Sequence, residues 1–145
     1  SYYGDELCWP VPASGRVTSK FGYREFDHSF HYAIDIGAPH GSPVVAVADG
    51  KVIRARWVTT GGGMQVAIDH GSKLLTYYNH LSGFACSEGQ RVSKGQVIGY
   101  VGQTGNAFGN HLDFKISYRG TYYDPELYIV YGNGKPPKSI HSLIG

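Results

Sequence analysis

The sequence predicts an all-β domain built as a small antiparallel sheet, and three observations carry that prediction. Its 145 residues include 21 Gly and 12 Tyr, and the glycines recur at short intervals between runs of β-branched and aromatic residues, the pattern of short strands joined by tight turns. No stretch sustains an apolar repeat near 3.6 residues, so helix should be minor. Asp49-Gly50 and Asp69-His70-Gly71-Ser72 are turn sequences that supply positive φ, and both sit between apolar runs where hairpins are expected.

In chain order the candidate strands are Arg16–Phe21, His31–Ile36, Pro43–Ala48, Gly50–Val58, Met64–His70, Lys73–His80, Gln96–Val101, His111–Tyr118 and Thr121–Tyr123. Gly61-Gly62-Gly63 reads either as a flexible loop or as a place where backbone approaches backbone. From Tyr131 the sequence changes to Gly-Asn-Gly-Lys-Pro-Pro-Lys, so residues 1–130 are expected as one domain and 131–145 as a tail or linker.

A mass of 15.8 kDa suits a single core. With 41% hydrophobic and 17% charged residues, the chain is neither charge-rich and disordered nor apolar enough to span a bilayer. The net charge of +2 comes from scattered Lys and Arg without a basic run, which leaves no nucleic-acid footprint. Cys8 and Cys86 fit either one disulfide closing a long loop or two buried thiols, and neither has the paired spacing of a zinc knuckle. A disulfide would favour work outside the cytoplasm. The opening Ser1-Tyr2-Tyr3, with no initiator Met or leader pattern, reads as a piece of a longer protein.

Seven histidines invite a metal reading, but only spacing gives it content. In His31-Tyr-Ala-Ile-Asp35 an imidazole and a carboxylate are four apart, and on an extended strand residues i and i+4 share a face, so both can reach one ion. In His111-Leu-Asp113-Phe114 the polar residues point one way while Leu112 and Phe114 point into packing. Each motif alone is equally what a half-buried strand with a solvent face would show.

Set in order, the motifs are Arg16-Val-Thr-Ser-Lys-Phe-Gly-Tyr-Arg24, His31-Tyr-Ala-Ile-Asp35-Ile-Gly, the run from Gly41 to Gly50, Tyr78-Asn-His80-Leu-Ser, the run from Gly89 to Gly99, Thr104-Gly105 and Gly109-Asn-His111-Leu-Asp113-Phe114. Over roughly positions 10 to 129 this series resembles the LytM-type metallopeptidases of family M23, among them lysostaphin-like glycyl-glycine endopeptidases and the peptidase domains of phage tail lysins and endolysins. The resemblance implies a LytM-like fold of the duplicated hybrid motif type, with an open groove floored by sheet. Loops near residues 22–30, 57–63, 83–90 and 103–110 would wall it. It makes His31, Asp35 and Asp113 ligands of one zinc ion and gives His80 and His111 to catalysis. The implied substrate is bacterial peptidoglycan, cut at peptide stems or cross-bridges by one module of a secreted or virion-associated protein. No nucleic-acid partner and no membrane insertion are implied.

One position departs from the family pattern. Where the family usually reads His-x-His, this chain reads His111-Leu-Asp113, so the third ligand that the resemblance implies would be a carboxylate. Zinc accepts Asp oxygen, but a His and two carboxylates nominally neutralise the ion. A neutralised ion polarises water less, so weakened hydrolysis and a shift toward harder ions such as Mn²⁺ are expected. The alternative is a degenerate domain that binds wall or a partner protein without chemistry. His28, three residues before His31, is the alternative ligand but reads as a solvent-facing loop residue; His40, His70 and His141 match no family ligand position, and Tyr23 and Tyr78 read as packing residues.

Overall fold

The computed structural model describes residues 5–105, 107 and 109–145. Asn106 and Phe108 of the expected 103–110 wall, and residues 1–4 of the expected domain, lie outside the described residues. Twelve strands appear: β1 (Val17–Ser19), β2 (Gly22–Arg24), β3 (Ser29–His31), β4 (Ile34–Gly37), β5 (Pro43–Val45), β6 (Gly50–Val58), β7 (Gly63–Asp69), β8 (Leu74–Phe84), β9 (Arg91–Val92), β10 (Val97–Val101), β11 (His111–Tyr118) and β12 (Thr121–Tyr123). A 3₁₀ turn (Pro125–Leu127) and α1 (Ile140–Ile144) complete the described structure. The all-β expectation is met.

Ten strands form one antiparallel sheet in which the path β1-β4-β11-β8-β7-β6-β9 is continuous, with β12 on β11 and β10 joining β8 to β5. β2 and β3 make a separate two-stranded hairpin. Alternation fixes which face of β11 is which: Leu112, Phe114 and Ile116 are fully buried, so His111, Asp113 and Lys115 take the opposite face. The buried side packs with Ile34, Ile36, Val66, Ile68, Leu81 and Ile98 into one core. The stretch 131–145, expected as a tail or linker, includes α1, whose Ile140 and Ile144 are buried in this same core. Among the described residues, no helix is long and apolar enough to cross a membrane.

Several local expectations need correction. The predicted strand His31–Ile36 is broken at Tyr32-Ala33, where Ala33 is buried and Tyr32 turns outward to stack on Phe30 and Tyr122. His31 and Asp35 therefore belong to different sheets, not to one strand face. Asp69–Ser72 does turn the β7–β8 hairpin, but Asp49-Gly50 does not join a pair, because β5 pairs with β10 and β6 with β7 and β9. Residues 83–86 run along β10 and 89–90 along β6, with Gly89 N–H on Val52 O at 2.7 Å, instead of walling the groove. Cys8 and Cys86 are free thiols, each donating to a backbone carbonyl at 3.4 Å.

Candidate metal centre and groove

Three strands deliver the predicted ligand positions to one point. Asp113 on β11 stands opposite Asp35 on β4 in register, and the β2–β3 hairpin lays His31 over them. The ligand-capable atoms of His31, Asp35 and Asp113 all lie within 4.8 Å of one another. His31 Nε2 is 3.5 Å from Asp35 Oδ1 and 3.7 Å from Asp113 Oδ2. Its Nδ1 is 3.1 Å from Lys20 O, so the Nδ1 proton is donated to the backbone and Nε2 faces the carboxylates.

These residues fit a divalent cation. Asp35 Oδ1 is buried and accepts no hydrogen bond, the His31 and His111 Nε2 atoms standing off at 3.5 and 3.7 Å, which leaves room for a cation to complete its coordination. Tetrahedral ligands at about 2.0–2.2 Å from zinc stand about 3.4 Å apart, close to the two separations from His31 Nε2. Burial works against charge on the His31 ring, but the flanking Asp113 and Asp35 carboxylates outweigh it and push its pKa up to about 9. Burial likewise works to raise Asp113, yet the His31 ring and the Asn79 amide hold its carboxyl below the usual carboxylate range.

The two remaining predicted residues flank this point. His111 opens β11; its Nδ1–H donates to Gly109 O at 3.2 Å, and its Nε2 lies 3.7 Å from Asp35 Oδ1. His80 reaches the groove through a bulge. Between Val66–Tyr78 and Met64–Leu81 the β7–β8 register shifts, so Asn79 and His80 together oppose the single Gln65. His80 takes φ of 64°, its N–H donates to Gly62 O at 2.7 Å, and its Nδ1–H to Thr104 O at 2.7 Å. The His80 and His111 rings meet edge to face with centroids 5.1 Å apart. Burial lowers the pKa of His80 and keeps the ring neutral, with Nε2 as its free lone pair.

A hollow of about 460 Å³ lies over the centre, lined by all five predicted residues together with Thr18, Ser19, Arg24 and Phe26. A second of about 210 Å³ shares His80 and Asp113 and continues past Gly61, Gly62, Asn79 and Lys115. The two form an open groove across the sheet. Arg24, Asn79 and Thr104 stand within the family motifs but receive no individual role there, and Gln65 lies outside them; an Asn inside a central strand, where that residue type is disfavoured, is a further signal. His28 stands apart from the predicted ligand positions, 3.1 Å from the Tyr23 hydroxyl, and Tyr78 is fully buried.

Comparisons with known proteins bear on the family of the chain. The chain is 42% identical over 114 residues to the DD-carboxypeptidase/endopeptidase Mpg of Neisseria meningitidis, covering 76% of this chain and 26% of that protein. It is 34% identical over 122 residues to the murein hydrolase activator NlpD of Salmonella dublin, covering 84% and 31%. It thus spans well under half of either relative. Among solved structures, a zinc containing peptidase from Vibrio cholerae superposes with a TM-score of 0.76 at 32% identity over 83% of this chain and 39% of that one. The catalytic domain of lysostaphin from Staphylococcus simulans gives 0.67 at 32% identity over 74% and 85%. The sequence profile described as Peptidase family M23 matches residues 29–125, two-thirds of the chain, and the chain belongs to that family.

Proposed function

We propose that this domain is a zinc-dependent endopeptidase acting on the peptide stems or cross-bridges of bacterial peptidoglycan, as one module of a larger protein that faces the cell wall from the periplasm or the exterior. The observation that carries the reading is the convergence of His31, Asp35 and Asp113, with a buried Asp35 oxygen that accepts no hydrogen bond, on the floor of an open groove. The family membership and relatives whose names refer to peptidoglycan or murein support the substrate class.

His31, Asp35 and Asp113 would hold the ion, which when bound supplies Lewis-acid polarisation of the scissile carbonyl and acidification of the attacking water. His80, neutral and with Nε2 free, takes the water's proton as oxygen adds to the carbonyl carbon. It returns that proton to the amine nitrogen as the C–N bond breaks. His111, anchored through Nδ1, presents Nε2 across the same space, where in its protonated form it donates to the developing oxyanion. The groove accommodates an extended peptide, with Thr18, Ser19 and Arg24 supplying polar contacts on one side of the centre.

The test is digestion of purified wall. The reading expects solubilised wall and newly exposed amino groups, both abolished by chelator and restored by zinc; absence of all of these at stoichiometric zinc overturns it. Asp113 favours a second reading, a domain that binds wall or a partner without cutting. That reading expects wall to be retained in chelator with no amino groups released.

A further inference from the structure

Asp113 is tied to three residues on three neighbouring strands. Asn79 Nδ2 donates to Asp113 Oδ1 at 2.9 Å, Gln65 Nε2 donates to Asn79 Oδ1 at 2.6 Å, and Arg54 donates through a terminal guanidinium nitrogen to Gln65 Oε1 at 2.8 Å. The line crosses the sheet from β11 through β8 and β7 to β6. Asn79 and Gln65 are buried, and Gly62 leaves the space that Asn79 Oδ1 fills, since a Cβ there would sit 2.6 Å from that oxygen.

Either amide alone could be turned round, for oxygen and nitrogen occupy nearly the same volume. Arg54 removes that freedom. A guanidinium has donors and no acceptor, so Gln65 must offer it Oε1, and its Nε2 must then face Asn79. Asn79 must accept with Oδ1 and so presents an N–H to position 113. The far end of the line is therefore required to accept. A carboxylate does so with one oxygen and keeps the other, Oδ2, aimed at His31. An imidazole holding a cation through one nitrogen shows an N–H or a C–H on its remaining edge and never an acceptor.

We infer that Arg54, Gln65 and Asn79 are positioning residues that specify a carboxylate at position 113, so that Asp113 is a built part of the metal centre and a lone return to His does not repair it. The inference rests on the metal reading of His31, Asp35 and Asp113. Groups that orient a ligand commonly change metal affinity about 10–100-fold when lost.

The experiment is a double-mutant cycle of Gln65→Glu and Asp113→His, with zinc dissociation constants of the metal-stripped chain measured against a chromophoric chelator. The carboxylate introduced by Gln65→Glu is the same size as the amide and still pairs with Arg54, but it has no donor. It forces Asn79 to turn its N–H toward position 65 and its oxygen toward position 113. The expected result is opposite signs: Gln65→Glu weakens zinc binding about tenfold in the parent chain and strengthens it in the Asp113→His background. The added negative charge acts alike in both backgrounds and cancels in the cycle. Equal factors in the two backgrounds overturn the inference.

Melting in chelator separates this from the metal reading. With no metal present, Gln65→Glu should lower the Tm of the parent chain, where two oxygens are made to face each other, and leave the Asp113→His chain unaffected, because a metal-free imidazole adapts its tautomer. That coupling with no zinc affinity in the parent chain fails the metal reading and keeps the line; zinc affinity without coupling does the reverse.

Discussion

His31 shows how the centre answers to pH. Held between Asp35 and Asp113, its ring titrates at about 9 in the metal-free fold, against about 6.5 when unfolded. A cation has to displace that proton. Apparent zinc affinity should therefore rise about tenfold per pH unit across the neutral range and level off near pH 9, which competition titrations at stepped pH would show. The stability of the stripped protein runs the other way. A raised pKa contributes stability that is complete below the unfolded value and is lost as pH climbs toward the folded one, so its Tm should fall between pH 6.5 and 9. His70 behaves oppositely. It is buried, and burial depresses its pKa; Nδ1–H donates to Asp49 O, and Nε2 accepts from Thr76, which accepts in turn from Tyr78. Its contribution is present above pH 6.5 and lost as acid charges the ring. Thr76→Val, which strands both neighbours, should cost about 1–3 kcal/mol in urea unfolding at neutral pH.

At the scale of elements, the loop Gly61–Gly63 and the segment Thr104-Gly105 act as one support for His80. Gly63 and Gly105 have φ of 65° and 75°, and a Cβ on either would lie 2.5 Å from the other segment's backbone. Between them they supply Gly62 O and Thr104 O, the two carbonyls that hold the His80 backbone and ring. Gly105→Ala should cost about 1–3 kcal/mol from the left-handed backbone alone. It should also depress wall hydrolysis beyond the loss of folded protein, measured at matched folded fraction. Of the two readings the sequence allowed for the triple glycine, close backbone approach is the one present.

The legibility of the rest followed from spacing. β11 could be read because simple alternation sorts His111 and Asp113 from Leu112 and Phe114. The break at Tyr32-Ala33 could not, since His31 and Asp35 keep the same separation whether the chain between them is straight or bent. Asn79 escaped for a sharper reason. If His80 faces the groove, alternation sends its neighbour to the opposite side, and only the bulge, which has no sequence mark of its own, puts both on one face.

For the whole molecule, the main sheet is closed from below by both ends of the described chain. The Glu6 carboxylate accepts from Ser139 Oγ and from Ile140 N, joining the first turn of α1 to a residue more than 130 positions earlier. Ile140 and Ile144 seal the core under that clamp. Ending the chain at Lys138 should lower stability by several kcal/mol, about 2–5 for each large buried side chain removed, and the loss should appear in thermal melting with and without zinc. The family motifs could not foretell this, because they stop short of α1, and the Gly- and Pro-rich stretch before it carries no apolar period.

The position of that clamp bears on how the domain can be handled. Ile144 and Gly145 border Tyr118 and Arg119, at the end of β11 opposite to His111. The eight-residue strand runs from one to the other, about 23 Å at the usual rise. A bead, a dye or a polymer coupled at Gly145 would therefore sit at the far end of β11, away from the hollow that His111 lines.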